Sequence, residues 1–380
     1  MTGVELATDH MGSRHRATWQ STLRSLKPSP LPRFVPPMLC TLISDPLDDV
    51  NWIFEPKFDG QRILGRFDGK NVQLRSRYGH DDTLWFPEIP RALKESLTKP
   101  ALVDGEIVSL DKKGKSEFRM LQQRFHRRDP EEIARRAKQF PAYFYVFALL
   151  YIERYDITAL PLIERREWLR KAVKWSERIR WTQFNPRDGV QLFREACRRG
   201  EEGIIGKRLE SSYVSRRSRD WVKIKCVNRQ EFVIGGFTDP EGSRVGLGAL
   251  LVGYYEPDGK TLVYAGKVGT GFNREMLLDL RRRLDRLEQS GSPFQKGEPP
   301  SGPGVHWVKP ELVAEIGFTE WTQNNMLRHP RFEGLRTDKK AREVRREIAR
   351  AISKPLIASR KFAEPSCLEF GSGLGDCLVT

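Results

Sequence analysis

The sequence predicts two consecutive domains, an α+β domain followed by a small β-barrel. The length of 380 residues exceeds that of one ordinary domain. Strand-like and helical segments share the chain up to about residue 228, and short β segments separated by glycine predominate after it. The 9 Trp, 20 Phe and 9 Tyr supply enough large apolar side chains for real cores.

Composition along the chain predicts the boundaries of these domains. Residues 1–32 are polar, aperiodic and then proline-rich, which is typical of a flexible arm. The α+β domain is predicted over 33–228 and the barrel over 229–355. Residues 356–380 are rich in Gly and Ser, which predicts a flexible tail.

In the first domain, Asp68-Gly69 is a hairpin signal between two strand-like runs, and Gly200 is placed to end a helix. Period and composition predict strands at Trp52–Phe54, Arg62–Phe67, Asn71–Arg77, Ala101–Leu110 and Tyr143–Tyr151. They predict helices at Glu131–Gln139, Leu162–Trp175 and Asp188–Arg199.

In the second domain, strands are predicted at Glu231–Phe237, Ala249–Tyr255 and Thr261–Val268. Leucines and a methionine recur at helical spacing in Arg274–Glu288 while the arginines lie on the other face, which predicts one amphipathic helix. Several short strands and one helix are typical of the oligonucleotide-binding (OB) fold.

The charge of the chain indicates a polyanionic partner. Lys plus Arg number 66 and Asp plus Glu 50, a formal net charge of +16. The five cysteines show no Cys-x-x-Cys spacing, so neither a disulfide framework nor a zinc site is indicated, and a cytosolic protein is expected. No apolar run approaches the roughly 18 residues that a membrane span needs.

The basic run Arg124-Phe125-His126-Arg127-Arg128 has two equally weighted interpretations. It could follow a nucleic-acid backbone, or it could be a solvated basic surface.

The most informative segment is Glu55-Pro56-Lys57-Phe58-Asp59-Gly60. Alone, such a Lys-x-Asp-Gly motif carries little information. Five further segments follow it in order: Arg75-Ser76-Arg77, Asp104-Gly105-Glu106, Tyr145-Val146-Phe147, Glu202-Gly203-Ile204-Ile205-Gly206-Lys207-Arg208 and Trp221-Val222-Lys223-Ile224-Lys225.

These motifs resemble those of the covalent nucleotidyltransferases, which comprise ATP-dependent DNA ligases, RNA ligases and mRNA-capping enzymes. The resemblance extends from about Phe34 to Ile352, and Gly334-Leu335-Arg336-Thr337-Asp338-Lys339-Lys340 looks like the family's last motif. It is most similar to the ligase domain of bacterial end-joining ligases, often called ligase D. The resemblance implies a nucleotidyltransferase domain with ATP-grasp-like antiparallel sheets and helices, followed by an OB-fold barrel.

A ligase must activate a 5′-phosphate, and a lysine amine can carry AMP as a phosphoramidate. Lys57 is the predicted carrier. Because an ordinary lysine is protonated at neutral pH, nearby cations must favour its neutral amine. We expect Lys223, Lys225 and a divalent metal to do this and to meet the triphosphate of ATP.

Glu106 and Glu202 come from separate motifs, and if they converge they offer a hard cation the oxygen ligands it prefers. Mg²⁺ or Mn²⁺ is therefore expected. By resemblance, Arg62 and Arg77 contact the nucleotide and the 5′-phosphate of a nick, Phe147 stacks on adenine and Lys207 lies near the phosphates. Further nucleotide-binding residues implied by the resemblance are Glu55, Arg336, Asp338 and Lys339, the last three facing the pyrophosphate.

One residue departs from the family pattern. The family usually has Asp after the stacking aromatic residue, and this chain has Ala148 there. Because the lysine and glutamate set is otherwise retained, the change is interpreted as tuning of the site with possible loss of rate, rather than loss of activity.

The sequence thus predicts an ATP-dependent DNA ligase that seals nicks through lysyl-AMP and a moving barrel. Its expected partners are nicked double-stranded DNA and a bacterial Ku-type end-binding protein, and it is expected to be a monomer in the cytoplasm, at the bacterial nucleoid. Two alternatives stay open: an RNA ligase or capping-type enzyme, and a weakly active nucleic-acid-binding relative.

Overall fold

A computed structural model describes residues 26–226, 228–337 and 339–348. In these residues a five-stranded and a six-stranded sheet lie before residue 226, and a seven-stranded sheet follows from residue 228. The strand pairs are mostly antiparallel; β1 (Leu39–Leu42) with β11 (Arg217–Lys225), and β6 (Tyr143–Ile152) with β8 (Ile179–Trp181), are parallel. This mixed α+β arrangement was predicted.

The first domain carries both smaller sheets. Its other strands are β2 (Asp49–Pro56), β3 (Gln61–Phe67), β4 (Val72–Ser76), β5 (Ala101–Val108), β7 (Tyr155–Asp156), β9 (Asn185–Arg187) and β10 (Gly203–Arg208). Its helices are α1 (Glu88–Ser96), α2 (Phe118–Gln122), α3 (Pro130–Gln139), α4 (Leu162–Ala172) and α5 (Gly189–Arg198), with a 3₁₀ turn at Thr83–Trp85.

The second domain is built on β12, which pairs with β13, β16 and β17. Its elements are β12 (Asn228–Thr238), β13 (Leu250–Tyr255), β14 (Leu262–Val268), α6 (Arg274–Asp285), β15 (Glu288–Gln289), β16 (Val305–Val308), β17 (Val313–Phe318), β18 (Glu320–Trp321), β19 (Leu327–Arg328), β20 (Arg331–Leu335) and a 3₁₀ turn at Ala341–Glu343.

The predicted hairpin between β3 and β4 is confirmed. Phe67 pairs with Val72, and the Asp68 carboxylate accepts from the N–H groups of Lys70 and Asn71 at 2.9 and 2.8 Å. Gly69 has φ of 97°, a conformation that glycine adopts without a steric cost. The turn sequence therefore fixes the register of the two strands.

The two sheets of the first domain face each other across a shared apolar layer. Ile53 and Trp221 come from the five-stranded sheet, and Leu64, Leu102 and Phe147 from the six-stranded sheet. Helix α1 covers the outer face of the six-stranded sheet, and α5 covers the outer face of β2, β10 and β11. The facing sheets place the motif segments around one cleft.

The prediction of no disulfide was wrong. Cys197 of α5 and Cys226, the residue after β11, form a disulfide with Cα atoms 5.0 Å apart. The two residues are 29 positions apart in the chain, and only the packing of α5 against β10 brings them together. Cys40 is a free cysteine.

The two domains meet across the cleft through polar contacts. Asp59 and Arg229 are 2.6 Å apart, and Arg119 donates to the carbonyl oxygen of Phe332 at 2.8 Å. The amide of Gln122 donates to the carbonyl oxygen of Leu335. Among the described residues, no helix is long and apolar enough to cross a membrane.

Candidate active site

Lys57 lies immediately after β2, where the strand leaves the sheet. Its N–H donates to the carbonyl oxygen of Gly203 at 2.9 Å, and its ammonium is paired with the Glu202 carboxylate. Burial disfavours the charged ammonium, but the pair with Glu202 outweighs burial and raises the pKa of Lys57. The structure thus supplies a carboxylate at Lys57, where neighbouring cations had been expected to favour the neutral amine.

Two motif glycines allow this approach of backbone segments. A Cβ on Gly60 would collide with the carbonyl oxygen of Ile107, and a Cβ on Gly203 would collide with that of Ile224. Gly203 also has φ of 142°, which side chains rarely adopt. Gly60 follows Asp59 and Gly203 follows Glu202 in the chain. The close approach at each glycine therefore fixes the position of the preceding carboxylate against the next strand.

Glu106 and Glu202 both line the cleft beside Lys57, which confirms that they converge. The Glu106 carboxylate has no hydrogen bond or ion pair to another described residue. Burial raises its pKa to about 8, although the nearby charges of Arg62 and Lys57 oppose this. Two converging and largely enclosed carboxylates, of which Glu106 has no direct ion-pair partner among the described residues, fit a hard divalent cation. The described residues contain no group of three metal-ligating side chains, so such a cation would need phosphate or water oxygens as well.

Aromatic rings line the other end of the cleft. Phe147 meets Trp221 edge to face with ring centroids 6.2 Å apart, and the Arg62 guanidinium lies 4.6 Å from the Phe147 centroid. Asp104 holds Arg62 in this position through hydrogen bonds of 2.5 and 2.6 Å. The Phe147 ring lines the cleft, as stacking on adenine requires. The stacking itself stays a prediction.

Lys207 lines the cleft together with Lys57, and its ammonium group is paired at the aromatic end. Its ammonium is 2.5 Å from the Glu55 carboxylate and 4.1 Å from the Phe147 centroid, and its side chain is 2% exposed. Its charge is thus paired at the aromatic end of the cleft, and its predicted place near the phosphates of the nucleotide stays a prediction. Burial lowers the pKa of Lys207 to about 8 although Glu55 opposes this.

Arg166 is a site residue that the sequence analysis missed. It projects from α4, pairs with the same Glu55 carboxylate and donates to the carbonyl oxygen of Thr182 at 2.8 Å. The available signal was the pair Arg165-Arg166 between Leu162 and Trp168, which are apolar residues of the buried face of this helix. Both arginines are buried, so their guanidinium groups bind partners inside the domain and do not face solvent.

Lys223 and Lys225 project from β11 into the cleft but are paired with a residue that was not predicted. The two oxygens of Glu347 lie 2.5 Å from Lys223 and 2.7 Å from Lys225. Burial, with Lys225 nearby, lowers the pKa of Lys223 to about 8 in spite of Glu347. The two lysines reach the predicted site, and a carboxylate of the barrel domain meets them there.

The last motif supplies two further cations at the barrel side of the cleft. Arg336 donates to Glu315 at 2.8 Å, and Lys339 lies 2.7 Å from Glu231. Asp338, predicted with them, lies outside the described residues. Arg77 lines the cleft with its guanidinium 5.4 Å from the Tyr78 centroid, and it forms no ion pair with another described residue.

Arg124 resolves part of the ambiguity of the basic run. It is 1% exposed, donates to both oxygens of Glu88 at 2.8 Å, and donates to the carbonyl oxygens of Trp85 and Phe140. A residue so enclosed stabilises the fold and does not follow a nucleic-acid backbone.

Ala148 lies in the apolar layer between the two sheets and is 1% exposed. It is directly opposite Asp104 in the pairing of β5 with β6 and does not line the cleft. An aspartate here would place a second buried carboxylate beside Asp104, which already serves Arg62 and Tyr213. The alanine thus fits its surroundings.

Two family models match this chain in consecutive ranges. The ATP dependent DNA ligase domain matches residues 37–225, and the ATP dependent DNA ligase C terminal region matches residues 243–339. The matches agree with the division into a two-sheet domain and a barrel.

Relatives with curated names share this region. The multifunctional non-homologous end joining protein LigD of Pseudomonas aeruginosa is 39% identical over 337 residues, which cover 88% of this chain and 39% of that protein. The multifunctional non-homologous end joining DNA repair protein LigD of Mycobacterium tuberculosis is 39% identical over 300 residues, 78% of this chain and 37% of that protein. The chain thus spans about two fifths of the length of these relatives.

A solved structure, mycobacterial DNA ligase D complexed with ATP and MES, is 35% identical and has a TM-score of 0.59, covering 82% of this chain and 98% of that chain. Together with the matched ranges, this likeness confirms the predicted fold class, a nucleotidyltransferase-type domain followed by an OB-fold domain.

Proposed function

This chain belongs to the ATP-dependent DNA ligase family and is related to the ligase region of LigD, and we propose from this that it seals nicks in DNA with Lys57 as the carrier of AMP. The observation that carries the proposal is one cleft in which Lys57 lies between an aromatic end and a cationic end. Such a cleft can receive a purine at one end and a polyphosphate at the other.

In the first step, the Lys57 amine attacks the α-phosphorus of ATP. A phosphorus–nitrogen bond forms, and the bond to the pyrophosphate oxygen breaks. Lys57 must first lose a proton, and its ion pair with Glu202 opposes that loss, so the reactive amine forms when this pair opens. The proposed contacts of the phosphates are cations that line the same cleft, namely Lys223, Lys225, Arg336 and Lys339.

A divalent cation, Mg²⁺ or Mn²⁺, would be held by Glu106 and Glu202. When bound, it neutralises charge on the transferring phosphoryl group. Independently of the cation, Arg62, fixed by Asp104, orients the nucleotide at the Phe147 end. Glu55, fixed by Arg166 and Lys207, presents a buried carboxylate at the same end.

In the two later steps the AMP passes to the 5′-phosphate of a nick, and the 3′-hydroxyl then displaces AMP. Arg77 is the proposed contact of the 5′-phosphate because its guanidinium lines the cleft without a described carboxylate partner. The surplus of +16 favours binding of the DNA backbone.

The experiment is the intact mass of the full chain after incubation with ATP and Mg²⁺. We expect one added AMP on the wild type, none on Lys57→Ala and one on Lys70→Ala, which changes an exposed lysine of the β3–β4 turn. GTP in place of ATP should give no adduct. An adduct on Lys57→Ala would refute the assignment of the carrier, and an adduct with GTP would favour a capping-type enzyme.

The finer parts of this proposal concern the assembly and setting of the protein. We propose that it acts as a monomer, in the bacterial cytoplasm, at DNA ends held by a Ku-type protein; the LigD relatives named for end joining support this setting. Light scattering of the purified chain tests the monomer. Stimulation of end ligation by a purified bacterial Ku tests the partner, and an equal rate with and without Ku would contradict it.

A further inference from the structure

The carboxylate of Glu347 occupies the cationic end of the cleft. One oxygen lies 2.5 Å from the Lys223 ammonium and the other 2.7 Å from the Lys225 ammonium. Both carboxylate oxygens are therefore engaged, each by one lysine. A phosphate group bound here would present oxygens to the same two ammonium groups.

The segment that carries Glu347 is held by the barrel domain. Gln230 of β12 accepts from the N–H of Glu347 at 2.9 Å and donates to the carbonyl oxygen of Arg345 at 3.0 Å. Arg346 donates to Asn325 at 2.5 Å, and its guanidinium lies 4.3 Å from the Trp321 centroid. Glu347 is thus presented to the lysines of the first domain by a fixed segment and not by a loose side chain.

We propose that Glu347 is an internal competitor for Lys223 and Lys225, which yields to the polyphosphate of ATP and returns when pyrophosphate leaves. This inference rests on the proposed function, because it assumes that these lysines meet the phosphates. A pyrophosphate carries more negative charge than one carboxylate and can displace it. A tethered carboxylate, however, stays close to the lysines, so it rebinds at a high effective concentration.

The competition has a consequence for the direction of the first step. Pyrophosphate can attack lysyl-AMP, re-forming its bond to the α-phosphorus while the phosphorus–nitrogen bond breaks and free lysine and ATP result. If Glu347 takes the two lysines as soon as pyrophosphate departs, it weakens the rebinding of pyrophosphate. Glu347 therefore determines how strongly pyrophosphate inhibits and reverses the adenylylation of Lys57.

The test uses full-length protein charged with radiolabelled ATP, freed of nucleotide, and titrated with pyrophosphate in Mg²⁺. We expect Glu347→Gln to need about tenfold less pyrophosphate than the wild type for half discharge, a change of about 1.4 kcal/mol in binding. Glu343→Gln is the matched control, since Glu343 is an exposed carboxylate of the same segment, and it should behave as the wild type. An equal or higher requirement in Glu347→Gln would overturn the proposal, since Glu347 would then not compete or would instead position the lysines.

A second measurement needs no chemistry. Calorimetric titration of the uncharged protein with inorganic pyrophosphate should show tighter binding to Glu347→Gln and Glu347→Ala than to the wild type and Glu343→Gln. If the wild type forms no adduct, the proposed function fails, while the titration still decides the competition. If the wild type forms the adduct and all four proteins bind pyrophosphate equally, only the competition is refuted.

Discussion

Two opposing effects set the protonation of Lys57. Burial favours the neutral amine, whereas the Glu202 carboxylate favours the ammonium and prevails, so the pKa of Lys57 is raised. Before it carries AMP, the protein therefore holds the Lys57 amine in its protonated, unreactive form. Glu202 is therefore the residue whose change should alter the reactivity of Lys57 most directly.

Glu202→Gln should lower the pKa of Lys57, because it removes the opposite charge and leaves the burial of the amine unchanged. The pH at which acetic anhydride labels half of Lys57 measures this directly by peptide mass spectrometry. The exposed Lys70 is the reference within the same molecule. An unchanged labelling curve would mean that the ion pair does not control Lys57.

Glu106 should make the stability of the protein depend on pH when a chelator keeps divalent cations away. Burial raises its pKa from 4.5 to about 8, so the folded protein keeps this proton over a range in which the unfolded chain loses it. The contribution of Glu106 to the free energy of unfolding should therefore fall between about pH 4.5 and 8, by an amount on the order of a few kcal/mol. Urea denaturation of Glu106→Gln should lack this part of the pH dependence; a curve parallel to that of the wild type would contradict it.

Site residues that lie in the motifs shared with the family could be predicted from the sequence. Site residues that lie outside these motifs could not. Lys57 and Glu202 were both predicted, and they form an ion pair. Glu347 and Arg166 were missed because each is an ordinary charge in a charged helical-type segment. Only the tertiary structure shows that Glu347 faces two lysines and that Arg166 is buried.

Among the elements, strands bounded by a turn signal were predicted well, and short helices beside prolines were not. The strand from Tyr143 and the hairpin at Asp68 are confirmed. Helix α1 was missed, since Pro87 and Pro90 suggest a break, yet proline fits the first turn of a helix. The helix predicted over Leu162–Trp175 ends at Ala172, and the one over Arg274–Glu288 ends at Asp285.

The close pairing of β10 with β11 predicts a specific cost at Gly203. Gly203→Ala should destabilise the fold by about 1–3 kcal/mol, because φ of 142° is strained for alanine and the added methyl group meets the backbone of Ile224. It should also reduce adenylylation, since Glu202 precedes Gly203 and the carbonyl oxygen of Gly203 itself accepts from the N–H of Lys57.

Gly291→Ala is the control for this substitution, as no atom lies within 4 Å of its added Cβ. Urea denaturation of both variants makes the comparison. Equal stability of Gly203→Ala and the wild type would show that β10 shifts freely against β11.

At the scale of the whole molecule, the site is divided between the domains, and this predicts that the steps can be separated. Arg336 belongs to the barrel, with its guanidinium 4.6 Å from the centroid of Phe118 in the first domain. Arg77 belongs to the first domain. Residues on the barrel side should matter when the cleft closes over ATP, and Arg77 when the nick is bound.

Arg336→Ala should therefore lose at least about tenfold in sealing a plain nick with ATP and change little with a pre-adenylylated nick, whereas Arg77→Ala should be impaired on both. Single-turnover ligation of the two substrates measures this. Equal loss of Arg336→Ala on both substrates would mean that Arg336 only stabilises the fold.

The disulfide between Cys197 and Cys226 also bears on the geometry of any such rearrangement. Cys226 is tied covalently to α5, and Asn228 is already paired with Phe318 inside the barrel sheet. The chain connecting the two anchored residues is a single amino acid. A rotation of the barrel would accordingly be centred on this short connection. The orientation of the barrel could change, while the ends of the two domains at Cys226 and Asn228 stay close together.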